Sequence, residues 1–242
     1  MWNGAPGPLC LALDSAGSAL SAAIAVGGNV LAVESTACLH GQAEKLMPMI
    51  DTVMRQAGLP PAALDLVVTT VGPGSFTGIR AGIAAARGIA LAANARLVGV
   101  TSFDAVAAGS AAPGREHSGF LLVTLESRRE DFFVQIFDRV RDRVGKPTAV
   151  APSALLDMVN AAVGEAPLLI AGDAAQRALS VLTRRPHIDI LESPAPLAIG
   201  ALRAAIHCLQ SGESGEAARP LYLRAPDATP SGGRTEAPGG RE

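Results

Sequence analysis

The stretch VVTTVGPGSFTGIRAGIAAARGIALAANA, Val67 to Ala95, limits the folds open to this chain more than any other. It begins inside LDLVVTTVG, a continuous apolar run of the kind that forms a strand covered on both faces. A glycine-rich turn, GPGSFTG, follows, and then a long helix of small residues. A strand covered on both faces needs helices on each side of its sheet, which points to an α/β chain. Strand, glycine turn and helix is also the order in which many proteins cradle a phosphate.

Spacing removes the two best-known phosphate loops. A P-loop needs GxxxxGK[ST], with a lysine on the phosphates. Here Thr77 stands five residues after Gly72, and Gly78 is followed by Ile79. A dinucleotide turn needs GxGxxG; Gly72 and Gly74 fit, but Thr77 fills the third place. The glycines are better explained as a tight strand-to-helix turn, with Ser75 or Thr77 capping the helix. An anion at the helix start stays open.

The helix carries more information than the turn. Gly78, Gly82, Ala86 and Ala90 recur every four residues. Such a ridge lets a second helix approach closely, because no side chain holds the backbones apart. Three glycines in this helix, Gly78, Gly82 and Gly88, each cost about 1 kcal/mol against alanine, so close packing should offset them. The helix before it, GQAEKLMPMIDTVMRQAG, shows one apolar face in Leu46, Ile50, Val53 and Ala57. It also holds Met47, Met49 and Met54, which suit either an adaptable contact surface or plain core filling.

The rest of the chain reads as a pattern given twice. LCLALDS, then ALSAAIAVGGNVLAVEST with a turn at Gly27, Gly28 and Asn29, predict a three-strand meander. After the two helices come the strand RLVGVTS, a short helix FDAVAAGSAA and a boundary at PGREHSG. GFLLVTLESRREDFFVQIFDRV then predicts a second strand–turn–strand. VAPSALLDMVNAAVG follows as a helix capped by Ser153, PLLIAGD as a buried strand, and PLAIGALRAAIHCLQSG as a last helix ended by Gly212. Two β/α lobes are therefore expected over residues 1–110 and 111–225, with the last helix free to pack back on the first lobe. The tail, 226–242, has no aromatic or branched apolar residue and is expected to be disordered.

Composition excludes some functions. Net charge is -2 and aromatics are 3%. Neither a broad electrostatic grip on nucleic acid nor a base-stacking platform is visible. Three scattered cysteines without a CxxC pair fit a reduced intracellular setting. No basic start with a long apolar run signals secretion, and Arg87 interrupts the longest apolar helix, so no membrane association is expected.

GPGSFTGIRAGIAAARGIA closely resembles the signature of the TsaB family, the dimerization subunits of the bacterial complex that makes tRNA threonylcarbamoyladenosine. LALDSAGSALSAAIAVGG, HGQAEKLMPMID and ARPLYLR resemble the family's opening strands, first helix and closing segment, so the likeness runs from about Leu9 to Arg224. It implies two tandem β/α lobes of the actin-like ATPase (ribonuclease H-like) type. It also implies a non-catalytic, cytoplasmic subunit that binds and activates TsaD through a bundle of first-lobe helices, with Met47, Ile50, Met54, Gly78, Ile79, Gly82 and Ala86 as the interface. TsaE would join the complex, and tRNA would be met only through it; separately, an exposed helix pair of this kind could self-associate as a homodimer when TsaD is absent. No cofactor of its own is implied; ATP and a metal would be used by the complex, the metal on TsaD.

Departures from relatives bear on chemistry. TsaD-like enzymes bind metal with His-x-x-x-His on the first helix; here His40 is followed by Glu44 with no third ligand in evidence. Kinase-like relatives hold phosphates with an Asp and a Gly-rich hydroxyl turn in each lobe. LDSAGS supplies Asp14 and Gly17, whereas LESRRED has Glu126 and no glycine. Gly172 and Asp173 are read as a strand-end turn. Arg128 and Arg129, flanked by Glu130 and Asp131, are read as a solvated charge cluster. The alternatives are a nucleotide-dependent enzyme of the actin and sugar-kinase class and a metallopeptidase, the latter without an HExxH motif.

Overall fold

A computed structural model describes residues 7–38, 41–110, 119–127, 129–191, 196–212 and 215–224. The tail and His40 and Arg128 lie outside the described residues. Two five-stranded sheets organise the chain. The first takes β1 (Leu9–Asp14), β2 (Ala19–Val26), β3 (Asn29–Ala37), β4 (Leu66–Thr70) and β5 (Arg96–Val100) in the order β3-β2-β1-β4-β5. The second takes β6 (Phe120–Glu126), β7 (Phe132–Phe137), β8 (Arg143–Val150), β9 (Leu168–Ala171) and β10 (Ile188–Ile190) in the order β10-β9-β6-β7-β8. Counted within its own half, each sheet has the same order, 3-2-1-4-5. In each, a meander pairs antiparallel and two later strands add in parallel.

Alternation along β1 decides the layers. Leu9, Leu11 and Leu13 face α1 (Gln42–Ala57) and α2 (Phe76–Ala93), meeting Leu46, Ile50, Val53, Ala86 and Ala90. Cys10 and Ala12 face the other way, toward Ala198, Ala201 and Leu202 of α6 (Leu197–Gln210). A period of two with both sets apolar is what a doubly covered strand requires. The last helix thus returns to the first sheet. It also crosses α3 (Ser102–Ser110) closely: a Cβ on Gly200 would lie 2.0 Å from the Ala105 carbonyl oxygen. Phe103 and Val106 of α3 pack on Leu121, Val123 and Phe137, which ties the two halves together. On its outer face the second sheet carries α4 (Pro152–Val163) and α5 (Ala175–Val181).

Three elements go beyond the sequence reading. β8, RVGKPTAV, contains Gly145 and Pro147 and lies at a sheet edge, where a proline interrupts no ladder on its free side. α5 and β10 are short, with seven and three residues, too few for a period to declare itself. The cap of α4 is also corrected. Ala151 is its N-cap and Pro152 its first residue, while Ser153 lies inside the helix and makes no cap.

Candidate functional site

Two turns clasp each other at the C-terminal end of β1. One, after β1, carries Asp14 to Gly17; the other, between β4 and α2, carries Gly72 to Ser75. The Ser75 N–H donates to the Ala16 carbonyl at 2.7 Å, and Ser15 Oγ donates to the Gly78 carbonyl at 2.8 Å. Ser75 is the N-cap of α2: its Oγ accepts from the Gly78 N–H at 3.3 Å, whereas Thr77 is exposed and caps nothing. Gly72 has φ 104 and precedes a cis Pro73. Contact distances explain the other glycines. A Cβ would come within 2.2 Å of the Ala16 oxygen at Gly74, 1.9 Å of the Ser15 oxygen at Gly78 and 2.4 Å of Ser15 Oγ at Gly82.

The glycine ridge is therefore filled from within the chain. Gly78, Ile79, Gly82 and Ala86 are buried against the β1–β2 turn and the sheet, not presented to a partner helix. Ile50 and Met54 are likewise core residues. Of the seven residues expected at an interface, Met47 alone is exposed. Periodicity reports that a face is closely packed; it does not report what packs there.

Asp14 is engaged too. Its Oδ1 accepts from Thr70 Oγ1 at 2.7 Å and from the Ala16 N–H at 3.1 Å, and the side chain is buried. Burial drives its pKa up to about 6, against those two hydrogen bonds, with Asp173 adding a small push upward. Gly17 stands beside it in the same turn, half-buried.

In the second half the corresponding turn is held by Arg177 of α5. Its Nε and Nη2 donate to both carboxylate oxygens of Glu126, at 3.1 and 2.8 Å. Its Nη1 donates to the Glu130 carbonyl at 2.6 Å, and its guanidinium lies 3.9 Å from the centre of the Phe132 ring. Asp173 Oδ1 accepts from the Glu126 N–H at 2.9 Å, and burial raises its pKa. Nothing in the sequence around Arg177 signalled this role; it depends on α5 folding back over the β6–β7 turn. The Arg129 N–H donates to Ser127 Oγ at 3.2 Å within that turn.

An ATP clamp needs open hydroxyls, carboxylates and backbone N–H groups in both turns. Here the first turn is closed by Ser15, Ser75 and Gly78, and the second by Glu126 and Arg177. Glu44 is exposed, and among the described residues no three His, Cys, Asp or Glu side chains cluster as metal ligands.

What the helices leave uncovered is a different surface. Met47 on α1 is 51% exposed, and Phe76 and Leu91 on α2 are 48% and 84% exposed. Between them Arg80, Ala84, Arg87 and Gly88 face solvent, and a Cβ on Gly88 would meet nothing within 4 Å. Residues 216–224 strap one margin of this face. Tyr222 stacks on Phe76 at 5.7 Å, Arg80 Nε donates to the Tyr222 hydroxyl oxygen at 3.1 Å, and Arg87 donates to the Ala218 carbonyl at 2.7 Å. Leu221 N–H donates to the Val71 carbonyl at 2.8 Å, and Arg224 pairs with Asp131 of the second half.

Two sheets of one strand order, joined by crossing helices, define a two-lobed α/β fold. A crystal structure of an uncharacterized protein from Pseudomonas aeruginosa, described as similar to peptidase YeaZ, superposes with a TM-score of 0.72. It is 23% identical and covers 90% of this chain and 100% of that one. The sequence profile described as TsaD, tRNA N6-adenosine threonylcarbamoyltransferase, matches residues 36–188, and the chain belongs to that family. Within it the chain is TsaB-like. It is 32% identical over 225 residues to an uncharacterized protein of Mycobacterium tuberculosis, covering 91% of this chain and 93% of that one. It is 33% identical over 100 residues to the tRNA threonylcarbamoyladenosine biosynthesis protein TsaB of Escherichia coli, 41% of this chain and 43% of that one.

Proposed function

We propose that this chain is the non-catalytic partner subunit in bacterial synthesis of tRNA threonylcarbamoyladenosine, binding and activating TsaD through the solvent face of α1 and α2. One observation carries the reading. The turns after β1 and β6 are each tied by the chain's own side chains, while Met47, Phe76 and Leu91 stay exposed on two adjacent helices. The interface shifts relative to the expectation from periodicity. It uses the face opposite Gly78 and Gly82, running through Met47, Arg80, Ala84, Gly88 and Leu91.

In this reading ATP and metal belong to the complex, tRNA is reached through it in the cytoplasm, and TsaE joins the pair. The same face would close on a second copy when TsaD is absent. Copurification with TsaD and TsaE tests the proposal, followed by a modification assay with each subunit omitted in turn. Loss of modification when this chain is left out supports it. Full modification by TsaD and TsaE alone, or turnover by this chain alone, would overturn it.

A further inference from the structure

A cavity of about 1010 Å³ lies between the β5 edge of the first sheet, the C-terminal half of α6 and the β7–β8 hairpin. Apart from Glu216 in the strap, none of the residues assigned above to the two turns or to the α1 and α2 face lines it. Val98, Val100, Ala107, Phe137 and Ala204 give it apolar walls. Arg141 reaches it from the hairpin, and Arg203 and His207, one helical turn apart on α6, reach it from the other side. Asp104, Asp142, Arg143 and Glu216 also line it. Arg143 holds Asp104 at 2.9 Å through Nε and Glu216 at 3.2 Å through Nη1, so those two carboxylates are engaged. The formal charges of the lining side chains cancel, and what marks the site is local pairing.

Arg141 carries a buried nitrogen with no hydrogen-bond partner, and its backbone is unusual as well. It sits in the left-handed region, φ 72, at a hairpin position where glycine is the ordinary choice. Asp138 holds it there. The Asp138 Oδ1 accepts from the N–H groups of Val140 and Asp142 at 3.0 and 2.9 Å, which pins the turn. Arg141 Nη1 is buried and has no acceptor among the described residues, and burial lowers the pKa of the group against a partial offset from Asp138. One residue thus combines a strained backbone with an under-compensated cation at the wall of a large cavity. Strain of this kind is a pointer to function when it is observed rather than assumed.

We propose that this cavity binds a small organic oxyanion, a phosphate or carboxylate carried on an apolar body. Arg141 is its anion contact, and Arg203 and His207 hold its far side. The apolar walls and the enclosed Nη1 suit a compact ligand and not a nucleic-acid backbone running over the surface. The site stands apart from the docking face on α1 and α2, and its fate does not depend on that reading.

The test is calorimetric titration of the full chain at constant ionic strength with phenyl phosphate, inorganic phosphate, benzoate and an RNA oligonucleotide. Phenyl phosphate against benzoate separates the two anion chemistries on one apolar body, and phenyl phosphate against phosphate weighs the apolar walls. Saturable binding of at least one organic anion is expected. Arg141→Gly should weaken it by about tenfold or more, the loss of one charged hydrogen-bond set, while the melting temperature holds or rises because glycine relaxes the turn. Arg203→Ala should also weaken it, and Arg139→Ala at the exposed hairpin tip should not. Three results would overturn the proposal: no saturable binding of any probe, binding by Arg141→Gly equal to wild type, or saturable binding only of an RNA oligonucleotide.

Discussion

Ser15 and Gly78 meet where two turns of the first lobe close on each other. Ser15 Oγ donates to the Gly78 carbonyl at 2.8 Å, and a Cβ on Gly78 would stand 1.9 Å from the Ser15 carbonyl oxygen. This contact decides the role of the glycine motif. The glycines are a bearing surface between a helix and a strand end, so the helix can lie on the turn with no side chain between them.

The first prediction separates three glycines of one helix. Gly78→Ala and Gly82→Ala should destabilise the chain by roughly 2–4 kcal/mol, because backbone or a short buried side chain blocks the new methyl group. Gly88→Ala should stabilise it by about 1 kcal/mol, the helix-propensity gain at a position open on all sides. Urea titrations of the three variants check this. Equal losses at all three would show that contact with Ser15 is not what matters.

Asp14 gives the second. Its folded pKa of about 6 exceeds the unfolded value of 3.8, so the folded chain binds the extra proton between those values. Stability contributed by the protonated group is full below pH 4 and is lost as pH rises toward 6, by up to about 3 kcal/mol. Asp14→Asn keeps the acceptor for Thr70 and Ala16 and removes the titration. Its stability relative to wild type should therefore grow between pH 4 and 6 and level off above. A flat difference across that range, measured by denaturant melts, would count against a buried, titrating Asp14.

Arg177 supplies the third. Its pair with Glu126 is partly exposed, so the ion pair itself is worth about 1 kcal/mol or less; the two carbonyls it also serves raise the total to about 2 kcal/mol. Arg177→Met should cost that much and speed amide exchange in the β6–β7 turn. Adding Glu126→Gln should recover part of the loss in a double-mutant cycle. Unchanged exchange in the turn would mean that Arg177 does not organise it.

The fourth concerns the partner surface. Met47→Asp and Leu91→Asp place a charge on exposed positions and should leave the melting temperature within about 2 °C while weakening copurification with TsaD. Ala86→Leu acts differently. Ala86 is buried against the sheet, so this variant should unfold the chain and reports on the core, not on docking. Retained binding by both aspartate variants would remove the α1 and α2 face from the proposal.

The order of elements in the first half was legible because its strands and helices are long and strongly patterned. β1, β2 and β4 are buried and mostly apolar, and α1 repeats its apolar residues at three and four. β8, with its glycine and proline, and the short α5 and β10 lacked such a period. The site divided in the same way. Ser75 as a cap is a local matter of one side chain and a backbone N–H three residues on. The guanidinium of Arg177 on Glu126 spans 51 residues, and no local pattern announces a contact of that range.

Alone, the sequence settled what depends on neighbours within a few residues: the turn at Gly72 to Ser75, the close-packed face of the following helix, and two successive strand-and-helix halves. Tertiary structure decided what that face meets. A glycine removes the same atoms whether a partner helix or the chain's own turn lies beyond it, so only the folded chain, by placing Ser15 there, could distinguish the two.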